Sequence, residues 1–157
     1  MFHVVGMNLH ALTAEQFGTD DDVRTLLDVF EKGTLPRSAW NHRAHLTVAL
    51  AIGRELPLPD AIDAARAAIH RFNAAAGIVS TPDSGYHETL TVFYMQVVAL
   101  HVRSNPLPAS RRDDANALVS EWGARDLPLR HYSRDRLFSR AARRSWMEPD
   151  LQPLPTA

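Results

Sequence analysis

The chain has 157 residues, of which 45% are hydrophobic, and it carries a formal net charge of -1 at pH 7. This length supports one hydrophobic core and is short for two, so a single domain over residues 1–157 is expected. The near-neutral charge excludes nucleic acid as the main partner, because phosphate binding relies on an excess of basic side chains. The chain has no cysteine, so any metal must be held by His, Asp or Glu.

The N-terminal residues 1–7 lack the positively charged start and the apolar run of a signal peptide. No later segment reaches the roughly 18 apolar residues that a membrane span needs. The sequence therefore predicts a cytoplasmic protein that does not enter a membrane.

Three helices are predicted in the first half of the chain, after an arm over residues 1–18 that we expect to be weakly ordered because its pattern is weak. The first helix follows Thr19, since a capping hydroxyl there precedes three aspartates at the positive end of the helix dipole. The second begins near residues 38–41. The third, over residues 61–76, ends at Gly77 as its C-cap.

The longest apolar run of the chain follows Glu88 and reaches Val102 without Gly, Pro or charge, which predicts a fourth helix covered on all sides. Two more helices are predicted over residues 110–122 and 133–145. A tail over residues 149–157 has three prolines and is expected to be extended. With no strand-like alternation of useful length, the sequence predicts an all-α fold, a single-domain bundle of five to six helices with a Pro-rich C-terminal tail.

Two histidines open the second helix. His42 and His45 are three residues apart, which places them about 60° apart around a helix and one turn along it, so both imidazoles can reach one metal ion. They lie on the face that carries core residues, and burying two imidazoles without partners is costly. We therefore expect His42 and His45 to bind a divalent metal, zinc or iron, although the spacing permits a metal site without being diagnostic of one.

The start of the fourth helix offers further ligands. His87 is the expected third metal ligand, and Thr91, one turn above it, is expected to position His87 or a bound water. Glu88 is either a fourth ligand or a general base beside the metal. The alternative is an ordinary first helical turn, in which the dipole favours the Glu88 carboxylate. The site requires that the two helix starts meet at one end of the bundle.

Five further residues are expected to contact a small-molecule substrate. Trp40 and Tyr86 precede the two histidine-bearing helix starts, and Tyr94 is either a pocket residue or part of the core. His131 is a reserve ligand or proton shuttle. Arg134 is a candidate anchor for an anionic group, with a solvated surface as the alternative.

The motif W-x-H-x-x-H-L over residues 40–46, followed by G-Y-H-E-T over residues 85–89, resembles a family of small, functionally uncharacterised bacterial helical proteins. The similarity spans most of residues 30–150 and includes the closing W-M-E-P-D. The resemblance brings no activity with it. The motif is neither the H-E-x-x-H of zinc proteases nor the adjacent His-Asp pair of HD phosphohydrolases.

The first functional hypothesis is a small metalloenzyme, in which the metal lowers the pKa of a bound water and Glu88 takes its proton. The reaction would be metal-dependent hydrolysis or a lyase-type hydration of a small molecule. With iron, the same ligands suit a non-haem oxygenase. The second hypothesis is a non-catalytic helical module that binds a small ligand or a partner protein. A homodimer is compatible with both.

Overall fold

The computed structural model describes residues 8–154, which form eight α-helices, five of them long, and no strand. The all-α, single-domain fold predicted from the sequence is thereby confirmed for this part of the chain. None of the described helices is both long enough and apolar enough to cross a membrane. The helices are α1 (Leu9–Thr13), α2 (Asp20–Glu31), α3 (His42–Glu55), α4 (Leu58–Ala76), α5 (Glu88–Ser104), α6 (Arg111–Trp122), α7 (Arg134–Leu137) and α8 (Arg140–Arg144).

Helix α5 lies at the centre of the bundle and packs against α3, α4, α6 and α8. Every residue from Glu88 to Val102 is buried or half-buried, which confirms the prediction of a helix covered on all sides. Helix α3 approaches α5 closely at Gly53, where a Cβ atom would lie only 2.5 Å from Cγ1 of Val98. Helices α3, α4 and α5 thus form the packed unit that carries the candidate site.

Helix boundaries follow the capping residues that the sequence indicates. Oγ1 of Thr19 accepts a hydrogen bond from the Asp22 N–H, and the Asp22 carboxylate accepts one from the Thr19 N–H, each at 3.1 Å. This reciprocal pair is a capping box, and it begins α2. Helix α4 ends at Gly77, whose φ of +69° favours glycine. The predicted start of α2 and the predicted end of α4 are both confirmed.

The N-terminal arm contributes a short helix and two side chains to the core. Residues 8–18 contain α1, and Leu12 and Phe17 are buried in the core. Arg43 of α3 donates a hydrogen bond to the carbonyl oxygen of Leu12 at 2.6 Å, and its guanidinium lies 3.8 Å from the centroid of the Phe17 ring. A buried cation from a distant helix thus contacts residues 8–18, while the weak order expected of the arm stays a prediction. The rest of that predicted arm, residues 1–7, lies outside the described residues.

The predicted sixth helix is divided into α7 and α8. Ser139 between them is extended, with φ -68° and ψ 154°, and its hydroxyl accepts a hydrogen bond from the Ala142 N–H at 3.1 Å. An extended residue cannot continue a helix, whereas it suits the N-cap of a new one. The serine that looked like an interior residue is thus the cap of α8.

Residues 149–154 of the tail have no regular secondary structure and lie against the segment before α7. The side chain of Asp150 accepts hydrogen bonds from the N–H and the hydroxyl of Ser133, at 2.7 and 2.6 Å. The Leu151 N–H donates to the carbonyl oxygen of His131 at 2.9 Å. Residues 155–157 lie outside the described residues.

A buried ionic cluster joins three helices at the end of the bundle opposite the start of α5. The carboxylate of Asp114 in α6 accepts from Nε and Nη2 of Arg54 in α3, at 2.8 and 2.6 Å, and lies 2.9 Å from Nε2 of His101 in α5. Burial raises the pKa of Asp114, but the hydrogen bonds from His101 and Arg54 outweigh it and hold the pKa below its usual value. The cluster therefore keeps an ionised carboxylate at the meeting point of α3, α5 and α6.

We expect Asp114→Ala to lower the free energy of unfolding by about 3 kcal/mol, because it leaves Arg54 and His101 without their acceptor. Asp113→Ala is the matched control, since it lies in the same first turn but pairs only with Arg112 at the surface. Its effect should be about 0.5 kcal/mol or less. Urea titration of the three proteins measures both values. Equal losses for the two variants would contradict a stabilising role for the cluster.

Candidate functional site

A cavity of about 420 Å³ lies between α3, α4 and α5, bordered by the loop that precedes α5. Its lining is mainly aliphatic and aromatic. Within the described part of the chain, no Asp, Glu, Lys or Arg belongs to it. Seven of the residues that the sequence singled out meet here: Trp40, His42, His45, Tyr86, His87, Thr91 and Tyr94. The two helix starts therefore do share one site, and what each side chain can do there depends on its hydrogen bonds.

His45 lines the cavity, and one of its ring nitrogens has no hydrogen-bond partner among the described residues. Its Nδ1 lies 2.7 Å from the carbonyl oxygen of Asn41. Because a carbonyl oxygen only accepts, Nδ1 carries the proton in the neutral ring and Nε2 is left as an acceptor. The Trp40 ring packs on this imidazole at a centroid distance of 3.8 Å.

Burial lowers the pKa of His45 to about 4, and the hydrogen bond to Asn41 offsets only part of this effect. His45 is nevertheless an exposed residue, open to solvent as well as forming part of the cavity wall. At neutral pH it is therefore an uncharged group with an accessible edge.

His42 is half-buried on the same wall and lies edge-on to Tyr94, with ring centroids 5.3 Å apart. Its Nε2 is buried and has no hydrogen-bond partner among the described residues. Burial lowers the pKa of His42, and the charge of Arg125 lowers it further, which outweighs the opposite effect of the Gly123 backbone. His42 is therefore neutral, like His45.

His87 is the N-cap of α5. Its Nδ1 accepts a hydrogen bond from the Leu90 N–H at 3.1 Å, so this nitrogen is unprotonated. Its Nε2–H donates to the carbonyl oxygen of Leu137 at 2.8 Å. Both ring nitrogens are thus occupied, and burial holds the pKa of the imidazole below its ordinary value. The alternative of an ordinary helix start describes His87 better than the ligand role.

The three histidines do not form the predicted metal site in this conformation. His87 would have to give up both of its hydrogen bonds to offer a nitrogen, so only His42 and His45 remain as candidate ligands. Across residues 8–154, no group of three or more His, Asp or Glu side chains is placed to hold a metal ion. Two imidazoles are fewer than the three protein ligands of a typical catalytic zinc site. The zinc or iron centre stays a prediction.

Glu88 faces away from the cavity. Its carboxylate accepts hydrogen bonds from Arg66 of α4, with Nε 3.0 Å from each oxygen, and from the hydroxyl of Tyr86 at 2.5 Å. Burial raises the pKa of Glu88, but these donors outweigh it, so the pKa is lower than usual. The predicted role as metal ligand or general base has no support in this geometry, since the carboxylate is bound by a cation outside the cavity wall.

Three residues of the wall carry a hydroxyl group, and only one of these hydroxyls is without a hydrogen bond to the described residues. Thr91 donates to the carbonyl oxygen of His87 at 2.9 Å, rather than to its imidazole. Tyr86 is committed to Glu88. Tyr94 makes no side-chain hydrogen bond with the described residues, and burial raises its pKa to about 12. Its protonated hydroxyl is available as donor or acceptor.

Two predicted substrate contacts lie elsewhere. His131 is buried against the tail, with Nδ1 3.0 Å from the carbonyl oxygen of Pro153, and its ring packs near Phe93. Arg134 is exposed, and its guanidinium lies 5.3 Å from the ring centroid of Phe138. Neither belongs to the cavity wall, so the sequence-based roles of substrate contact and anion anchor gain no support for these two residues.

Asn73 was missed by the sequence analysis. It is only 6% exposed, lines the cavity, and its carboxamide makes no hydrogen bond with the described residues. Residues 65, 69 and 73 line the wall at four-residue spacing along α4. In the sequence, Asn73 is the one polar residue at this spacing, following Ala65 and Ile69 on one face of α4, and that pattern could have identified it.

The loop before α5 is held from two sides. The carboxylate of Glu88, which is paired with Arg66, accepts a hydrogen bond from the Tyr86 hydroxyl. Nη1 of Arg143 in α8 donates to the carbonyl oxygens of Gly85 and Tyr86, at 3.1 and 3.3 Å. The wall contributed by Tyr86 is therefore held by the buried carboxylate of Glu88 and by Arg143.

We expect His87→Ala to lower the free energy of unfolding by about 2 kcal/mol, because it removes a helix cap and leaves the Leu137 carbonyl unpaired. Thermal unfolding with and without EDTA then separates the cap from the metal ligand. With His87 as the cap, the chelator leaves the Tm of both proteins unchanged. A drop in the Tm of the wild type that is absent in the variant would instead support the metal centre.

We expect Glu88→Gln to lower the free energy of unfolding at pH 7 by about 1 to 2 kcal/mol, because Arg66 loses a charged acceptor. Since the pKa of Glu88 is lower when folded, its contribution is present above the unfolded value of 4.5 and is lost as the pH falls through the folded value. Urea titration at several pH values should show the difference shrinking below pH 4.5.

The control for this substitution is Asp63→Asn, which removes the second partner of the same arginine. The side chain of Asp63 is 76% exposed, so its loss should change stability by about 0.5 kcal/mol or less. An equal or larger effect of Asp63→Asn would contradict the special role of the buried pair.

No known protein family, curated protein or solved structure matches this chain significantly. The resemblance suggested by the two histidine motifs therefore stays a prediction. The site has to be interpreted from its own geometry.

Proposed function

We propose that this protein binds a small, uncharged and mainly apolar molecule in the cavity between α3, α4 and α5. The observation that carries the proposal is the cavity itself, about 420 Å³ in volume and mainly apolar in its lining. Small-molecule sites typically have volumes of about 300 to 1,000 Å³ and a few placed polar groups among apolar ones. The volume and the lining of this cavity agree with that description.

The electrostatics favour an uncharged ligand. The cavity wall has no charged side chain among the described residues, and its histidines have lowered pKa values, so they are neutral at pH 7. A charged ligand would lose its hydration here without meeting an opposite charge. The nearby Arg66 is already paired with Glu88 and Asp63.

Small side chains on two helices leave room for the cavity. Ala49 on α3 and Ala65 on α4 line the cavity at positions where larger residues would fill it. Both come from helices that pack directly on α5. The room therefore arises from small residues in an otherwise packed bundle, and an apolar ligand would complete that packing.

Binding is better supported than the hydrolase or lyase activity predicted from the sequence. A general base works best when its pKa is near the operating pH, whereas the pKa of His45 is about 4. The other candidate base, Glu88, is paired with Arg66. Hydrolysis, hydration and oxygenation stay predictions.

Two fluorescent probes with the same skeleton test the proposal. We expect uncharged N-phenyl-1-naphthylamine to bind at least about 10-fold more tightly than its sulfonate, 8-anilinonaphthalene-1-sulfonate, because the cavity offers no counter-charge. Fluorescence titration measures both affinities. Ala49→Leu should weaken binding of the uncharged probe by filling the cavity, whereas Ala67→Leu, at an exposed position of the neighbouring helix, should not.

The opposite ranking of the two probes would contradict an uncharged ligand. Equal weakening by Ala49→Leu and Ala67→Leu would place the probe outside the cavity. Either result would remove the support for the proposal.

A further inference from the structure

The wall of the cavity contains one acceptor whose role is fixed by the backbone. Asn41 is the N-cap of α3: its side-chain oxygen accepts from the Ala44 N–H at 2.9 Å, while its carbonyl oxygen lies 2.7 Å from Nδ1 of His45. The same residue therefore starts the helix and sets the tautomer of the imidazole. In the neutral ring, Nε2 of His45 has a lone pair and no proton.

That lone pair has no partner within residues 8–154. Nε2 of His45 makes no hydrogen bond with the described residues, although the ring has exposed surface and lines the cavity. The ring is held in place on its other side, since Trp40 packs on it at 3.8 Å. The acceptor is thus oriented before any ligand binds, which lowers the entropic cost of using it.

Asn73 supplies a second free polar group. Asn73 is only 6% exposed and lines the cavity, and its carboxamide makes no hydrogen bond with the described residues. The carboxamide atoms are not sealed off from solvent, so a ligand in the cavity can form hydrogen bonds with them. Trp40 packs on His45 and also on Phe72, the residue before Asn73, with ring centroids 4.8 Å apart in the second case. Both free groups belong to the wall of the same cavity.

Nε2 of His45 and the carboxamide of Asn73 need different hydrogen-bonding partners. Nε2 of His45 requires a donor, whereas a carboxamide offers both a donor and an acceptor. A hydroxyl group answers both, because it donates one hydrogen bond and accepts others. An ether, a ketone or an ester offers only acceptors, and its lone pairs would face the lone pair of His45.

We propose that the ligand class is an uncharged aromatic or alicyclic alcohol, including phenols, whose hydroxyl donates to Nε2 of His45 and accepts from Asn73. This inference rests on the proposed function of the cavity and narrows it to one functional group. The apolar body of the ligand lies against the aliphatic part of the wall. His45 is then the residue that selects the ligand, and Asn73 assists it.

A matched pair of ligands tests the inference. 2-Naphthol and 2-methoxynaphthalene share their ring system and differ by a methyl group that removes the donor. In displacement of N-phenyl-1-naphthylamine from the wild type, we expect 2-naphthol to bind about 3- to 10-fold more tightly, the size of one neutral hydrogen bond. His45→Phe keeps an aromatic ring and removes the acceptor, so the two ligands should bind this variant equally.

The control is His10→Phe, the same substitution on α1 at an exposed residue outside the cavity wall. It should keep the wild-type ratio. Because His45→Phe could fold poorly, a second measurement uses the wild type alone. The ¹⁵N NMR signals of the His45 ring should show a protonated Nδ1 and an unprotonated Nε2, and 2-naphthol should shift the Nε2 signal while 2-methoxynaphthalene leaves it in place.

The alcohol class and the binding function of the cavity can fail separately. Equal affinity of the wild type for both naphthalenes, or a protonated Nε2 in the NMR spectrum at neutral pH, would overturn the alcohol class and leave the binding cavity standing. If neither the fluorescent probe nor either naphthalene binds, both the cavity function and the alcohol class are overturned.

Discussion

The pair of hydrogen bonds made by His87 is the constraint on which the candidate site depends. One ring nitrogen accepts from the first turn of α5 and the other donates to the end of α7, so a single neutral imidazole fixes where the central helix begins. A protonated ring would lose the cap, because Nδ1 could no longer accept. The lowered pKa of His87 keeps the ring neutral, as its role as the cap of α5 requires. The positions of Thr91 and Tyr94 along the cavity wall follow from that starting point.

The three histidines at this site have three different environments. His87 uses both nitrogens, His45 uses one and leaves one open, and His42 has a buried nitrogen without a partner among the described residues. All three remain neutral, since burial disfavours the charged ring. The result is a cavity with directed hydrogen-bonding capacity and no formal charge, which suits recognition of a polar group on an apolar molecule better than proton transfer.

Periodicity was sufficient to predict the fold class, the central helix and the meeting of two histidine-bearing helix starts. It could not predict the role of each ring nitrogen, because these roles are set by partners far away in the chain. The carbonyl of Leu137 engages His87 from 50 residues further on. Likewise, Arg66 on α4 turns Glu88 away from the cavity, and nothing in the sequence around Glu88 indicates that pairing.

The distant anchoring of the N-terminal arm has the same origin. Arg43 was assigned no role from the sequence, and it binds the backbone of α1 across 31 residues. The division of the last predicted helix was also unforeseen, because Ser139 is compatible with a helix interior until its hydroxyl is seen to cap the next one. Local pattern thus predicts which residues can form a helix, whereas the contacts between helices decide where it stops.

The loop that contributes Tyr86 to the cavity wall is held at one end by the buried pair of Glu88 and Arg66 and at the other by Arg143, which donates to the carbonyl oxygen of Gly85 at the surface. Salt screens the surface contact of Arg143 more than the buried pair. Raising the ionic strength would therefore loosen the Gly85 end of the loop before the Glu88 end. Contacts between an uncharged ligand and the apolar wall carry no charge, so the affinity for such a ligand would stay nearly constant.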